Sequence, residues 1–232
     1  MRYPAVIFDL DGTLLDTLAD LADAMNAVLA GAGRAPQPLQ AYRYFVGDGM
    51  EMLVRRATGL LQGEDALVEQ FVAAMRAEYA RRWERQTRPY AGVPELLDAL
   101  SERGVAMAVL SNKPEPLTRL AVDRLLGRWE FRAVIGARAG APRKPDPDGA
   151  WQIAAGFGLP PARIAYLGDT DTDMRTATAA GMLPVGAAWG FRPAAELRRA
   201  GAAHVIATPL ELLPLLDGSP PMSSPQTMEE SP

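Results

Sequence analysis

The stretch Ala5-Val6-Ile7-Phe8-Asp9-Leu10-Asp11-Gly12-Thr13-Leu14 decides how the chain is read. Its first four residues make the short apolar run of a buried strand. Side chains at i and i+2 of a strand share a face, so Asp9 and Asp11 leave the sheet side by side. Gly12 then lets the backbone turn sharply. Two carboxylates about 4 Å apart repel by roughly 4 kcal/mol at a moderate effective dielectric. A fold that keeps them together places a proton or a cation between them. The competing reading of this segment alone is an ordinary acidic turn after an edge strand.

Working outward, further apolar runs at 105–110, 133–135, 164–167, 184–187 and 205–206 alternate with helical patterns. Strands alternating with helices predict a doubly wound α/β fold, a mostly parallel sheet with helices on both faces. Pro94 opens one helix and Gly104 closes it, and Gly181 ends another in the same way. The second strand comes late. A parallel crossover needs only about a dozen residues, and the helix over 93–103 supplies it. Residues 16–88 are therefore surplus, and they read as helices. Leu18, Leu21, Ala22, Met25, Val28 and Leu29 have i, i+3, i+4 spacing up to Gly31 or Gly33, and 50–57 and 64–85 follow. The expected organisation is a catalytic core of residues 1–15 and 89–216 with an inserted helical cap over 16–88. An insertion at that point stands above the C-terminal edge of the sheet, where open α/β folds bind ligands, and can act as a lid. Residues 217–232 hold four prolines and four serines and are expected to be a disordered tail.

The chain has 232 residues, 48% of them hydrophobic, and a net charge of -4. That is enough for a sizeable core, and with no basic stripe nucleic acid is not an expected partner. The absence of cysteine excludes disulfides, thiolate zinc sites and thiol nucleophiles. The single histidine, His204, reads as a strand-edge residue. Met1-Arg2-Tyr3 leads straight into the first strand, leaving no room for a signal peptide, and no apolar run reaches membrane-spanning length. A cytoplasmic protein without a membrane partner, monomer or homodimer, is the expectation. Of 24 basic residues 22 are arginine, and the only lysines are Lys113 and Lys144. An isolated lysine in such a chain asks what a compact ammonium does there that a guanidinium cannot.

Three later segments fall at strand ends and converge on the edge that carries Asp9 and Asp11. In Val109-Leu110-Ser111-Asn112-Lys113-Pro114, Ser111 and Asn112 present a hydroxyl and an amide where a strand becomes a turn, although the composition is also that of a plain turn. In Arg143-Lys144-Pro145-Asp146-Pro147, flanking prolines fix where Lys144 points; a solvated lysine is the alternative. In Tyr166-Leu167-Gly168-Asp169-Thr170-Asp171-Thr172-Asp173, Asp169 follows the strand and Asp173 lies one helical turn on. Asp171 or Thr172 as a helix cap and Asp173 as a first-turn acid would explain part of this pattern, but not Asp169. Together Asp9, Asp11, Asp169 and Asp173, opposed by Lys144, call for a hard divalent cation such as Mg²⁺. Ser111, Asn112, Lys144 and backbone N–H groups can hold the oxygens of a phosphate. A carboxylate beside the metal can then attack phosphorus, and a second one can protonate the leaving alkoxide.

Asp-Leu-Asp-Gly-Thr-Leu, Leu-Ser-Asn, Lys-Pro-Asp and Gly-Asp-Thr-x-x-Asp, in this order over about 165 residues, resemble the four-motif signature of the haloacid dehalogenase-like hydrolases. The resemblance implies a Rossmann-like core. Val46-Gly47-Asp48-Gly49-Met50 and Tyr90-Ala91-Gly92-Val93 make the chain similar to the phosphoglycolate phosphatases within that superfamily. By this resemblance Asp9 is the nucleophile that forms an aspartyl-phosphate, Asp11 is the acid/base, and Ser111 and Lys144 hold the phosphoryl group. Asp9, Asp169 and Asp11 (through its backbone carbonyl) are the magnesium ligands, and Thr13 and Asp173 support them. Gly47, Asp48, Gly49 and Arg55, with Arg56, are candidates to face the substrate, and the competing reading of both arginines is a solvated helix face. The expected partner is a small phosphorylated metabolite, 2-phosphoglycolate first, with sugar phosphates as competitors. An acid at Asp11 disfavours a dehalogenase, a cap without lysine disfavours phosphonate cleavage, and a hinge without histidine disfavours a phosphosugar mutase. A signalling receiver domain would be shorter and would lack the insertion.

Overall fold

The computed structural model describes residues 1–218. Asp217 ends the last helix and Gly218 caps it; the rest of the expected tail lies outside the described residues. The chain begins with β1 (Ala5–Phe8) and β2 (Leu15–Asp16), then runs through α1 (Leu18–Gly31), α2 (Leu39–Phe45), α3 (Met50–Thr58) and α4 (Asp65–Arg82). β3 (Arg88–Pro89) returns it to α5 (Val93–Glu102), β4 (Ala106–Pro114), α6 (Glu115–Leu125), β5 (Ala133–Ala137) and α7 (Asp148–Phe157). It closes with β6 (Ile164–Gly168), α8 (Asp171–Ala180), β7 (Leu183–Ala187), α9 (Ala194–Arg199), β8 (His204–Ile206) and α10 (Leu212–Asp217).

The main sheet has six strands in the order β5-β4-β1-β6-β7-β8, and its pairings are parallel. β1 is central, paired on both sides, and all four residues are buried. This position overturns the edge-strand alternative and explains the uninterrupted apolar run, because a central parallel strand is covered on both faces. Period-2 alternation sorts its neighbours into two cores. Val6, Phe8, Val109 and Leu167 pack on one face; Ala5, Ile7, Ala108 and Tyr166 pack on the other, against Ile153 of α7 and Ala177 of α8. Burying one such large side chain contributes about 1.5–3 kcal/mol. The sheet is thus doubly wound, as the alternating pattern predicts.

β2 and β3 form a separate antiparallel ribbon, with Leu15 opposite Pro89 and Asp16 opposite Arg88. The chain leaves through this ribbon into α1 and returns through it after α4. In α1 the residues Leu21, Ala22, Met25, Val28 and Leu29 are buried, as their spacing predicts. The sequence reading contains no α2, and the reason is visible: of its seven residues only Tyr42 is buried, so it carries almost no periodic signal. A second departure concerns β4. The expected strand ends at residue 110, yet β4 continues to Pro114 after an irregularity in its pairing with β5, which resumes at Pro114 opposite Ala137. Ser111, Asn112 and Lys113 therefore lie within a strand rather than on a turn. No described helix is long and apolar enough to cross a membrane.

Candidate active site

β1 delivers Asp9 to the C-terminal edge of the sheet, and β6 on its neighbouring side delivers Asp169. The link between them is the turn after β1. Gly12 has φ +94, a conformation that L side chains rarely adopt, and a Cβ there would collide with the Asp169 carboxylate. Thr13 follows, and its Oγ1 donates to Asp169 Oδ1 at 2.8 Å. The backbone N–H of Phe191 donates to Asp169 Oδ2 at 2.7 Å.

Asp173 sits in the first turn of α8. Thr170 is the N-cap and forms a capping box with it: Thr170 Oγ1 accepts from the Asp173 N–H, and Asp173 Oδ2 accepts from the Thr170 N–H. Neither Asp171 nor Thr172 is the cap. The other oxygen, Oδ1, accepts from Lys144 Nζ at 2.7 Å, so Asp173 serves the helix and the site together. Lys144 Nζ also donates to Asp9 Oδ1 at 2.7 Å. Among the described residues no donor reaches Asp9 Oδ2.

Oxygens of Asp9, Asp169 and Asp173 lie within 4.8 Å of one another, and all three residues are buried. In their ionised forms the three carboxylates would exceed the one ammonium by two negative charges. Burial, with Asp173 nearby and Lys144 opposing, pushes Asp9 up from 3.8 to about 7. Burial and the charges of Asp9 and Asp173 hold Asp169 well above the usual carboxylate range. Burial alone would lower Lys144, but Asp173 and Asp9 outweigh it and hold the ammonium well above its ordinary value. An all-oxygen donor set whose acids resist ionising beside one another fits a hard divalent cation, which would offset that repulsion.

The Asp11 carboxylate is not part of this group. Lys113 Nζ donates to both its oxygens, at 2.9 and 3.1 Å, and to Tyr79 Oη at 2.8 Å. Lys113 is buried, and so is Tyr79, which comes from α4 in the insertion. Sequence reasoning assigns Lys113 no role and does not reach Tyr79. The signal for Lys113 was present, since it is one of two lysines in an arginine-rich chain. Nothing in the sequence marks Tyr79 apart from other buried aromatics.

Asp9, Asp11 and Ser111 line a small cavity of ≈ 40 Å³, with Asn112 and Lys113 beside them and Leu21, Val46, Gly47, Gly49, Met50, Leu53 and Tyr79 arriving from the insertion. This is room for a few waters, so the site suits a small ligand. Asn112, expected to hold phosphate with its side chain, instead spends Nδ2 on the carbonyls of Gly47 and Lys144 at 3.1 and 3.0 Å. It ties the lysine loop to the insertion. Gly47 and Gly49 reach the cavity as expected. Asp48 does not line it: its carboxylate accepts from Thr172 Oγ1 at 2.7 Å and from Arg56 at 2.5 Å, a clasp between insertion and sheet. Arg55 is directed elsewhere, onto Glu51, Asp65 and the Leu61 carbonyl.

The model of the haloacid dehalogenase-like hydrolases matches residues 3–181 of this chain. A phosphoglycolate phosphatase of Pseudomonas putida is 39% identical over 191 residues, covering 80% of this chain and 70% of the relative. One from Pseudomonas savastanoi pv. phaseolicola is 36% identical over 217 residues, covering 90% and 78%. Among solved structures, a protein from Lactobacillus delbrueckii subsp. bulgaricus, assigned as a phosphoglycolate phosphatase, superposes with a TM-score of 0.85 at 28% identity. That superposition covers 93% of this chain and 99% of the other. With the four motifs gathered at one sheet edge and the family model matched over most of its length, the chain belongs to the haloacid dehalogenase-like hydrolases.

Proposed function

We propose that this hydrolase is a magnesium-dependent phosphatase of small phosphomonoesters, 2-phosphoglycolate first among them, working through an aspartyl-phosphate on Asp9. The observation that carries the reading is the gathering of three buried carboxylates, those of Asp9, Asp169 and Asp173, around the single Lys144 ammonium, with Asp9 also lining the cavity. The carboxylates of Asp9 and Asp169 and the backbone carbonyl of Asp11 would hold Mg²⁺, with Thr13 and Asp173 bracing them. When bound, the ion supplies neutralisation of phosphate charge and a fixed point for one phosphate oxygen.

The rest belongs to the protein's own groups. Lys144 and the Ser111 hydroxyl receive the remaining phosphoryl oxygens. Asp9 attacks phosphorus in line, and the bond from phosphorus to the ester oxygen breaks as that oxygen takes the proton of Asp11. Asp11, now a carboxylate, removes a proton from water, which attacks the phosphorus of the aspartyl-phosphate. Phosphate leaves, and both Asp9 and the protonated Asp11 are restored. We read residues 16–88 as a cap over a core of 1–15 and 89–216, hinged at the β2–β3 ribbon, which excludes bulk water during this sequence.

A small ester is supported by the small cavity and by the activity for which the relatives above are named. A panel of small phosphomonoesters, assayed for phosphate release with and without Mg²⁺, tests the reading. Continuous magnesium-dependent turnover with 2-phosphoglycolate among the best substrates is expected. A poor rank for 2-phosphoglycolate would remove the substrate and leave the class; no release from any ester would remove both.

A further inference from the structure

We propose that Lys113 and Tyr79 are positioning residues for Asp11: the ammonium holds the acid/base carboxylate at the cavity, and the tyrosine of α4 holds the ammonium. The inference rests on the acid/base reading of Asp11 given above. An ammonium has three donors. Here they are spent on the two oxygens of Asp11 and on Tyr79 Oη, so its orientation is fixed from two sides.

The register of β4 accounts for the placement. Ser111 and Lys113 are two residues apart on one strand and therefore project to the same face, where both line the cavity. A strand that stopped at residue 110 would leave Lys113 on a free turn. Asp11, by contrast, lies beyond the end of β1, and among the described residues its backbone is tied by a bridge to Leu15. Among the described residues no side chain other than Lys113 hydrogen-bonds its carboxylate. A group that must meet first the ester oxygen and then a water needs a fixed position, since small misplacements of a reacting group are costly in rate. Lys113 supplies that position. It also opposes, as a positive charge, the carboxylate that Asp11 becomes once its proton has gone to the departing alcohol.

The consequence is that the insertion reaches the chemistry without touching phosphorus. Tyr79 belongs to α4, while Lys113 lies in β4 and Asp11 in the turn after β1, so docking of α4 completes the acid/base group.

The test uses two esters that differ in their need for a proton. An alkyl phosphomonoester (2-phosphoglycolate, or whichever alkyl ester the wild type turns over fastest) loses an alkoxide that must be protonated. Acetyl phosphate loses a carboxylate that need not be. The readout is kcat/KM, which reports steps through departure of the leaving group and not the later hydrolysis of the aspartyl-phosphate. Asp11→Asn is the reference and should lose about 10²–10⁴-fold on the alkyl ester, with a far smaller loss on acetyl phosphate. Lys113→Met should follow it, with a loss of about 10²-fold on the alkyl ester and within about threefold on acetyl phosphate. Tyr79→Phe removes one hydroxyl and keeps the ring, so it guards against a Lys113→Met protein that does not fold. It should lose about fivefold on the alkyl ester only, the worth of one hydrogen bond. Equal losses on both esters in Lys113→Met and Tyr79→Phe, or none on either, would overturn the inference while a selective Asp11→Asn left the acid/base reading in place. Equal losses in Asp11→Asn itself would overturn that reading and the inference with it.

Discussion

The ammonium of Lys144 hydrogen-bonds Asp9 Oδ1 at 2.7 Å across 135 residues of sequence, and both side chains are buried. The same ammonium is 2.7 Å from Asp173. One cation thus answers for several acids. Removing it leaves buried charge without compensation, which typically costs about 3–5 kcal/mol. Lys144→Met is therefore expected to lower stability by about that amount in metal-free urea denaturation and to reduce phosphate release to background. Stability within about 1 kcal/mol of wild type would show that the charges are screened by other means.

The acids give the metal-free protein a pH dependence of definite sign. Burial and Asp173 raise Asp9 from 3.8 to about 7, so between these values the folded chain keeps a proton that the unfolded chain releases. Stability contributed here falls as pH rises through that window, and Asp169 acts in the same direction. A divalent cation competes with the proton, so its stabilising effect should grow with pH. Mg²⁺ at a hundred times its Kd is worth about 2.7 kcal/mol, or roughly 5–10 °C in Tm for a chain of this size. Scanning calorimetry should show most of that rise at pH 8 and little at pH 5. An equal rise at both would contradict the assignment of the acids.

Gly12 tests the close approach of the first and last motifs. Its φ of +94 and the nearness of the Asp169 carboxylate leave no place for a methyl group. Gly12→Ala should lose about 1–3 kcal/mol through backbone strain, and its Mg²⁺ affinity by calorimetric titration should fall with the displacement of Asp169. Unchanged affinity would separate the turn from the cation site.

Arg55 provides the opposite expectation. Its guanidinium is held by Glu51 and Asp65, both exposed, and exposed pairs contribute about 0–1 kcal/mol. Arg55→Ala should leave KM and kcat on the best ester within about twofold. A KM raised tenfold would return Arg55 to the substrate.

The parts of this site that the sequence disclosed are those with a local cause. Asp9 follows from its place at the end of an apolar strand, Asp169 from a strand-glycine-acid step, and Lys144 from its rarity and its proline-stiffened loop; Asp11, expected beside Asp9 in the acid group, is held instead by Lys113. The helices that precede α5 are legible as extra chain because α5 already supplies the crossover. What stayed hidden depends on three-dimensional partners. The donors of Asn112 alone suggest a phosphate, but the carbonyls of Lys144 and of Gly47 take them, the second only once the helices of 18–82 are docked. Tyr79 lies 34 residues from Lys113, and no periodicity in α4 distinguishes a tyrosine that packs from one that also accepts a hydrogen bond. The true length of β4 escaped because its last residues are polar and its pairing with β5 is interrupted.

The nucleophile is the point on which the proposed chemistry turns. Enzyme mixed with excess 2-phosphoglycolate and Mg²⁺, quenched during turnover and treated with borohydride, converts any aspartyl-phosphate to homoserine that peptide mass spectrometry can locate. Homoserine at position 9, absent without substrate, is the predicted result. Homoserine at another aspartate, or unmodified Asp9 while phosphate is being released, would contradict it.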